Sequence, residues 1–306
     1  MSRIYEALQR ADLERKAAQE SEAKWPADAP VTTTVAEPPH FNSSLDLDAI
    51  KLWPWRLSLS SFPTLADRGA GVEQFRSLRS RIYQSRYEAP LKTILVSSGM
   101  PSEGKSFVAA NLAMSLARNS TNNILLIDGD LRRPTMHSLL GAPNLPGLSE
   151  YLSGTAELTD ILQRSETGKA PAIATVKSVT NLTLIPAGKC GDNSSELVAN
   201  HRVEELIETV SPHFDWIIID SPPVLAVTDA VELARAADAV LLVVRGARTP
   251  FDVAQRAQAT FANSRILGFV LNDVKDPPRS GSYYYYYGTP EPAKDGKQRK
   301  DTRSPG

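Results

Sequence analysis

The chain has 306 residues, 34 basic and 35 acidic side chains, a formal net charge of -1, 42% hydrophobic and 23% charged residues. That is a soluble globular composition, and the balanced charge removes any general electrostatic reason to bind nucleic acid or an anionic membrane. The one cysteine, Cys190, closes no intrachain disulfide and has no Cys or His cluster around it for a metal site; with no long apolar run and no signal core near residue 1, a cytoplasmic protein is expected.

Residues 3–24 set Ile4, Leu8, Ala11 and Ala18 on one stripe among charged residues, which predicts an exposed amphipathic helix too thin to anchor in lipid. Prolines 26, 30, 38, 39, 54 and 63 then recur through residues 25–64, a linker composition. Trp53-Pro54-Trp55 is the exception, expected to pack on the globular body because two indoles are costly to leave in water. From residue 68, apolar runs at 93–97, 124–127, 182–185, 216–219, 239–244 and 266–271 read as strands. Between the first two, Phe107, Val108, Asn111, Leu112, Leu116 and Ala117 have the period of a helix lying on a sheet. Strands this apolar, joined by helices, predict an α/β fold with a mostly parallel sheet covered on both faces. Three regions follow: an N-terminal helix and linker (1–67), an α/β body (68–274) and a disordered polar tail (275–306).

The strongest motif is Gly99-Met100-Pro101-Ser102-Glu103-Gly104-Lys105-Ser106, which follows a strand and opens a helix at Phe107. This is the context of a phosphate-binding P-loop. Backbone amides of such a loop curl around phosphates, Lys105 neutralises the β and γ oxygens of ATP, and the Ser106 hydroxyl ligates Mg²⁺. Phosphoryl transfer also needs carboxylates at strand ends on the same sheet edge. Asp128 and Asp130, followed by Arg132 and Arg133, stand after one predicted strand, and Asp220 stands after another, where Pro222 and Pro223 stop it.

In that order, SSGMPSEGKS, IDGDLRRP and IIIDSPP resemble the Walker A, Walker A′ and Walker B motifs of bacterial tyrosine kinases, the P-loop autokinases of capsule and exopolysaccharide synthesis. The resemblance covers residues 71–274 and the tyrosine-rich tail, and the opening MSRIYEALQRA is similar to autokinases of exosortase and exopolysaccharide loci. It implies a P-loop NTPase fold, with Lys105, Asp128 and Asp130 catalytic, Ser106, Asp128 and Asp220 holding Mg²⁺, and Asp128 accepting the tyrosine proton. An aspartate of ordinary pKa is a poor base for a phenol, so orientation is expected to matter more than proton abstraction. One departure stands out: related loops carry glycine where this chain has Ser102, and serine is penalised at positive φ.

Glu73, Arg76 and Arg79 follow the E-x-x-R-x-x-R pattern that resembles the family's subunit contact. Asn272 ends the last strand with a donor and an acceptor suited to an adenine edge, though a strand-end turn role is equally open, and Arg245 either approaches the base or ribose or caps a loop. His137, His201 and His213 have no metal or triad spacing. The tail holds Tyr283, Tyr284, Tyr285, Tyr286 and Tyr287 between small residues, a flexible segment suited to be the phosphoacceptor. The resemblance further implies a ring of copies phosphorylating one another, a membrane adaptor that holds the protein at the inner membrane, and an opposing tyrosine phosphatase. A positioning ATPase of the septum-site type is the rival reading; such proteins carry an extra lysine early in the loop, where this chain has Gly99-Met100-Pro101.

Overall fold

In the computed structural model, the described residues are 45–66, 68–166, 180–189, 191 and 194–274. The expected N-terminal helix, Cys190 and the tail with its five tyrosines lie outside them.

Eight strands form one sheet: β1 (Lys51–Trp53), β2 (Thr93–Ser98), β3 (Ile124–Asp128), β4 (Gln163–Ser165), β5 (Leu182–Ile185), β6 (Trp216–Asp220), β7 (Ala239–Arg245) and β8 (Ile266–Asn272). Their order is β1-β4-β5-β3-β6-β2-β7-β8, and every pair is parallel except β4 with β5. The six expected strands are all present, five of them one residue longer at the C-terminal end. Three of those added residues are Asp128, Asp220 and Asn272, so the sheet's carboxyl edge is also where its polar chemistry collects. In the register of β3 and β6, Asp128 stands directly opposite Asp220.

Alternation along the strands distributes two cores. Ile94, Val96, Ile124, Leu126 and Ile218 face helices α1 (Ala70–Glu88), α2 (Lys105–Ala117) and α3 (Met136–Leu140). Leu95, Leu125, Ile127, Ile217 and Ile219 face the other way. There they meet α4 (Leu148–Leu152), α5 (Leu158–Ile161), α6 (Ser194–Val198), α7 (Arg202–Val210), α8 (Asp229–Arg235) and α9 (Phe251–Thr260). A period of two therefore fills both layers from the same apolar runs.

The expected linker boundary is corrected by the fold. Residues 45–66 form a strap on the body, adding β1 to the sheet edge and burying Trp55 and Phe62 against the α1–α2 side. Asn111, in the middle of α2, donates to the Ser61 carbonyl at 2.9 Å and accepts from the Thr64 hydroxyl at 2.9 Å. Arg118, at the end of α2, donates to the Thr64 carbonyl at 2.6 Å. The folded unit thus begins at Leu45 rather than at residue 68. Proline content had hidden a segment whose few large side chains supply the burial.

Candidate active site

The phosphate loop runs from the end of β2 into α2 and is held from inside. Glu103 is buried; its carboxylate accepts from the Met100 amide at 2.8 Å and from the Thr249 hydroxyl. Asn272, at the end of β8, donates its side-chain amide to the Glu103 carbonyl at 2.9 Å. That amide stands so close to Gly104 that a Cβ there would collide with it, and Gly104 also has φ +93°. Ser102 has φ +64°, so the serine occupies the left-handed conformation that its Cβ disfavours. Arg245 pairs with Asp273 at 2.7 Å and reaches the Ser102 carbonyl at 3.4 Å. Glu103, expected among nucleotide contacts, thus spends its side chain on loop closure, and Asn272 spends its donor there while keeping an acceptor oxygen.

Lys105 begins α2 inside an acidic cluster. Its ammonium donates to Asp130 at 2.8 Å and to the Ser106 hydroxyl at 3.2 Å, and stands 3.8 Å from Asp220. Burial alone would lower the Lys105 pKa, but the carboxylates of Asp220 and Asp130 outweigh it and hold it above the ordinary value. Asp128 is fully buried, accepting from the Thr135 and Met136 amides at 3.0 and 2.9 Å and from the Asp130 amide at 3.3 Å. Burial, together with Asp220 across the ladder, still pushes it up to about 7. Burial likewise lifts Asp220 to about 6, opposed by Lys105 and by the nearby Ser106 hydroxyl. In the metal-free protein the ordinary pKa expected for Asp128 is therefore corrected upward by desolvation and a facing like charge, and a bound cation would lower it again.

Neither carboxylate oxygen of Asp220 meets a donor in hydrogen-bonding geometry, although both are buried. A hard cation would satisfy them, and the Ser106 hydroxyl beside Lys105 supplies a second oxygen. Among the described residues no three His, Cys, Asp or Glu side chains form a self-sufficient metal cage. That donor set suits Mg²⁺, which binds through one or two protein oxygens and completes its shell with phosphates and water.

A cavity of about 530 Å³ opens beside the loop. It is lined by Ser102, Gly104, Lys105, Ser106 and Phe107 of the loop and α2, by the apolar Pro222, Pro223, Ala226 and Val227 that follow β6, and by Asp130, Arg132, Arg133 and Thr135. Asp130 thus lies on the cavity wall, whereas Asp128 is not among the lining residues.

Of the expected contact face, Glu73 and Arg76 pair with each other at 2.6 Å in solvent. Arg79 instead turns inward and donates to the Ser115 carbonyl of α2 at 2.5 Å. Sequence reasoning missed Asp229 and Ser195. Asp229 is buried and accepts from Arg132 at 2.9 Å and from the Ser195 hydroxyl at 2.7 Å, so it anchors the loop after β3 to α6 and α8. No local signal marks it, because an aspartate at a helix start reads as an ordinary cap.

A family profile described as an AAA domain matches residues 91–252. The putative tyrosine-protein kinase CapB of Staphylococcus aureus is 34% identical over 218 residues, 71% of this chain and 90% of its own length. The tyrosine-protein kinase ptk of Acinetobacter johnsonii is 33% identical over 253 residues, 81% of this chain, which spans only 32% of that longer protein. Among solved structures, the kinase domain of the Escherichia coli tyrosine kinase ETK superposes with TM-score 0.61 at 33% identity, covering 70% of this chain and 80% of that one.

Proposed function

The chain belongs to the bacterial P-loop tyrosine-protein kinases, and we propose that it uses Mg²⁺-ATP to phosphorylate its own C-terminal block, Tyr283 to Tyr287, between copies. One observation carries this reading: a phosphate loop whose lysine lies among Asp130 and Asp220, at a cavity whose lining includes the apolar Pro222, Pro223, Ala226 and Val227, surface suited to a phenol ring.

In this mechanism the loop amides and Lys105 bind and orient the phosphates of ATP. Lys105 leaves Asp130 for the phosphates, freeing that carboxylate on the cavity wall to orient the incoming tyrosine hydroxyl. Asp128, behind the wall, holds the Thr135 and Met136 amides and so fixes the path of the loop that carries Asp130. Its raised affinity for a proton suits it to accept the phenol proton directly from a tyrosine hydroxyl that reaches past Asp130. Ser106 and Asp220 would hold the Mg²⁺, which would neutralise charge on the transferring phosphate.

No helix among the described residues is long and apolar enough to cross a membrane. We assign the protein to the control of exopolysaccharide synthesis, as a ring held at the inner membrane by an adaptor and reset by a tyrosine phosphatase, with Glu73 and Arg76 at the contact between copies and Arg79 bracing the helix that carries them. The test is incubation of the purified chain with Mg²⁺-ATP, with phosphotyrosine mapped by mass spectrometry. Label on the tail block is expected; phosphate released to water with no phosphotyrosine would support the positioning-ATPase reading instead.

A further inference from the structure

Two consecutive arginines leave β3, and their side chains are used differently. Arg132 is anchored, its Nε 2.9 Å from Asp229 and its Nη2 2.5 Å from the Ser195 hydroxyl. Arg133 is exposed, and among the described residues its guanidinium makes no hydrogen bond or ion pair. Its position is nevertheless set, because its backbone amide donates to Asp130 Oδ1 at 3.0 Å while the other oxygen of that carboxylate holds Lys105. It lines the cavity together with Pro222, Pro223, Ala226 and Val227. A fixed backbone thus presents an unused planar cation at the cavity where an acceptor side chain would enter.

We propose that Arg133 binds a phosphotyrosine adjacent to the tyrosine being phosphorylated, so that the first phosphate on the tail favours the next. This rests on the reading of the tail as acceptor. A guanidinium matches the oxygens of a phosphate in a two-pronged contact. The sequence around the acceptors says which anion is available: Gly281, Ser282, Gly288 and Thr289 flank the block, and the nearest carboxylates are Asp276 before it and Glu291 after it. Within the block, the anion beside an acceptor tyrosine is therefore the phosphate already placed on its neighbour. A run of consecutive tyrosines then becomes a substrate that improves as it is used.

The experiment uses the full chain carrying Tyr283→Ala, Tyr284→Ala, Tyr285→Ala, Tyr286→Ala and Tyr287→Ala, so that an added fluorescent peptide spanning 281–288 is the sole acceptor from that block. With Mg²⁺ and a non-hydrolysable ATP analogue present, peptide carrying one phosphotyrosine should bind about three- to tenfold tighter than the unmodified one, as for an exposed charge-assisted contact. Arg133→Ala should bind both alike, and Arg133→Lys should keep part of the preference. A peptide with glutamate in place of the phosphotyrosine should gain less; an equal gain overturns the assignment to phosphate. Equal binding of the two tyrosine peptides by the Arg133 protein also overturns the proposal, as does an Arg133→Ala variant that loses affinity for the ATP analogue and keeps the peptide preference. If neither peptide binds, the acceptor reading beneath it fails, and the proposal with it.

Discussion

Lys105 and Asp130 are joined at 2.8 Å with both side chains almost wholly buried, so the lysine needed by the nucleotide also neutralises the site that awaits it. Replacing it removes two functions at once. Lys105→Met is expected to abolish tail phosphorylation and, by leaving buried carboxylates without their cation, to cost about 3 kcal/mol of stability at neutral pH. The stability loss should shrink toward pH 5 as Asp220 and Asp128, both held above the ordinary value, take up protons. Phosphotyrosine detection and thermal melts at several pH values check the two parts separately.

Asp220 should act in the opposite sense on stability. Its folded-state pKa, about 6, lies above the ordinary value of 3.8. Its favourable contribution is therefore fully present below about pH 4 and is lost as pH rises through 6, with Asp128 extending the loss to about 7. In metal-free, nucleotide-free protein, Asp220→Asn is expected to raise stability by about 3 kcal/mol at pH 7.5 and by only about 1 kcal/mol at pH 4.5. The same variant should gain no protection from Mg²⁺-ATP. Calorimetry with and without Mg²⁺-ATP at both pH values gives the comparison.

Ser102 is held in the left-handed region by the loop around it. Ser102→Gly removes the Cβ penalty and should stabilise the protein by about 1 kcal/mol, a rise of about 2–4 °C in Tm. Ser102→Val, branched at Cβ, should lower the Tm and weaken ATP binding. An unchanged melt in both would show that the loop relaxes to negative φ.

The strap should behave as core. Phe62→Ala is expected to cost about 3–5 kcal/mol, since the ring is fully buried against the α1–α2 layer. A chain shortened to begin at residue 68 should melt well below one beginning at residue 45, because it also loses Trp55 and the polar contacts to Asn111 and Arg118. Equal melting of the two shortened chains would return residues 45–66 to the status of a linker.

Arg76 and Arg79, three residues apart, should separate. Arg79→Ala is expected to lower stability by about 1–2 kcal/mol, because the Ser115 carbonyl loses a charged donor in a partly buried site. Arg76→Ala, in solvent, should change stability by less than about 0.5 kcal/mol while weakening the contact between copies. Melting together with light scattering distinguishes the two effects.

Much of this protein was legible locally. Buried parallel strands are continuous apolar runs, so β2, β3, β5, β6, β7 and β8 could be read from composition alone, and the glycines and Lys105 of the phosphate loop declare their chemistry through spacing. What the chain could not declare by itself was anything that depends on two distant segments meeting. The three-residue β1 and the polar, equally short β4 exist because neighbouring backbones offer hydrogen bonds, and the strap folds because Trp55 and Phe62 find apolar partners in α1 and α2. Arg132 is anchored and Arg133 left available because Asp229, on α8, happens to lie beside one and not the other. Sequence likewise identified Asp128 and Asp220 as carboxylates of the site; only the pairing of β3 with β6 set them face to face out of water, and desolvation with like-charge repulsion, both properties of position, raised their affinity for protons.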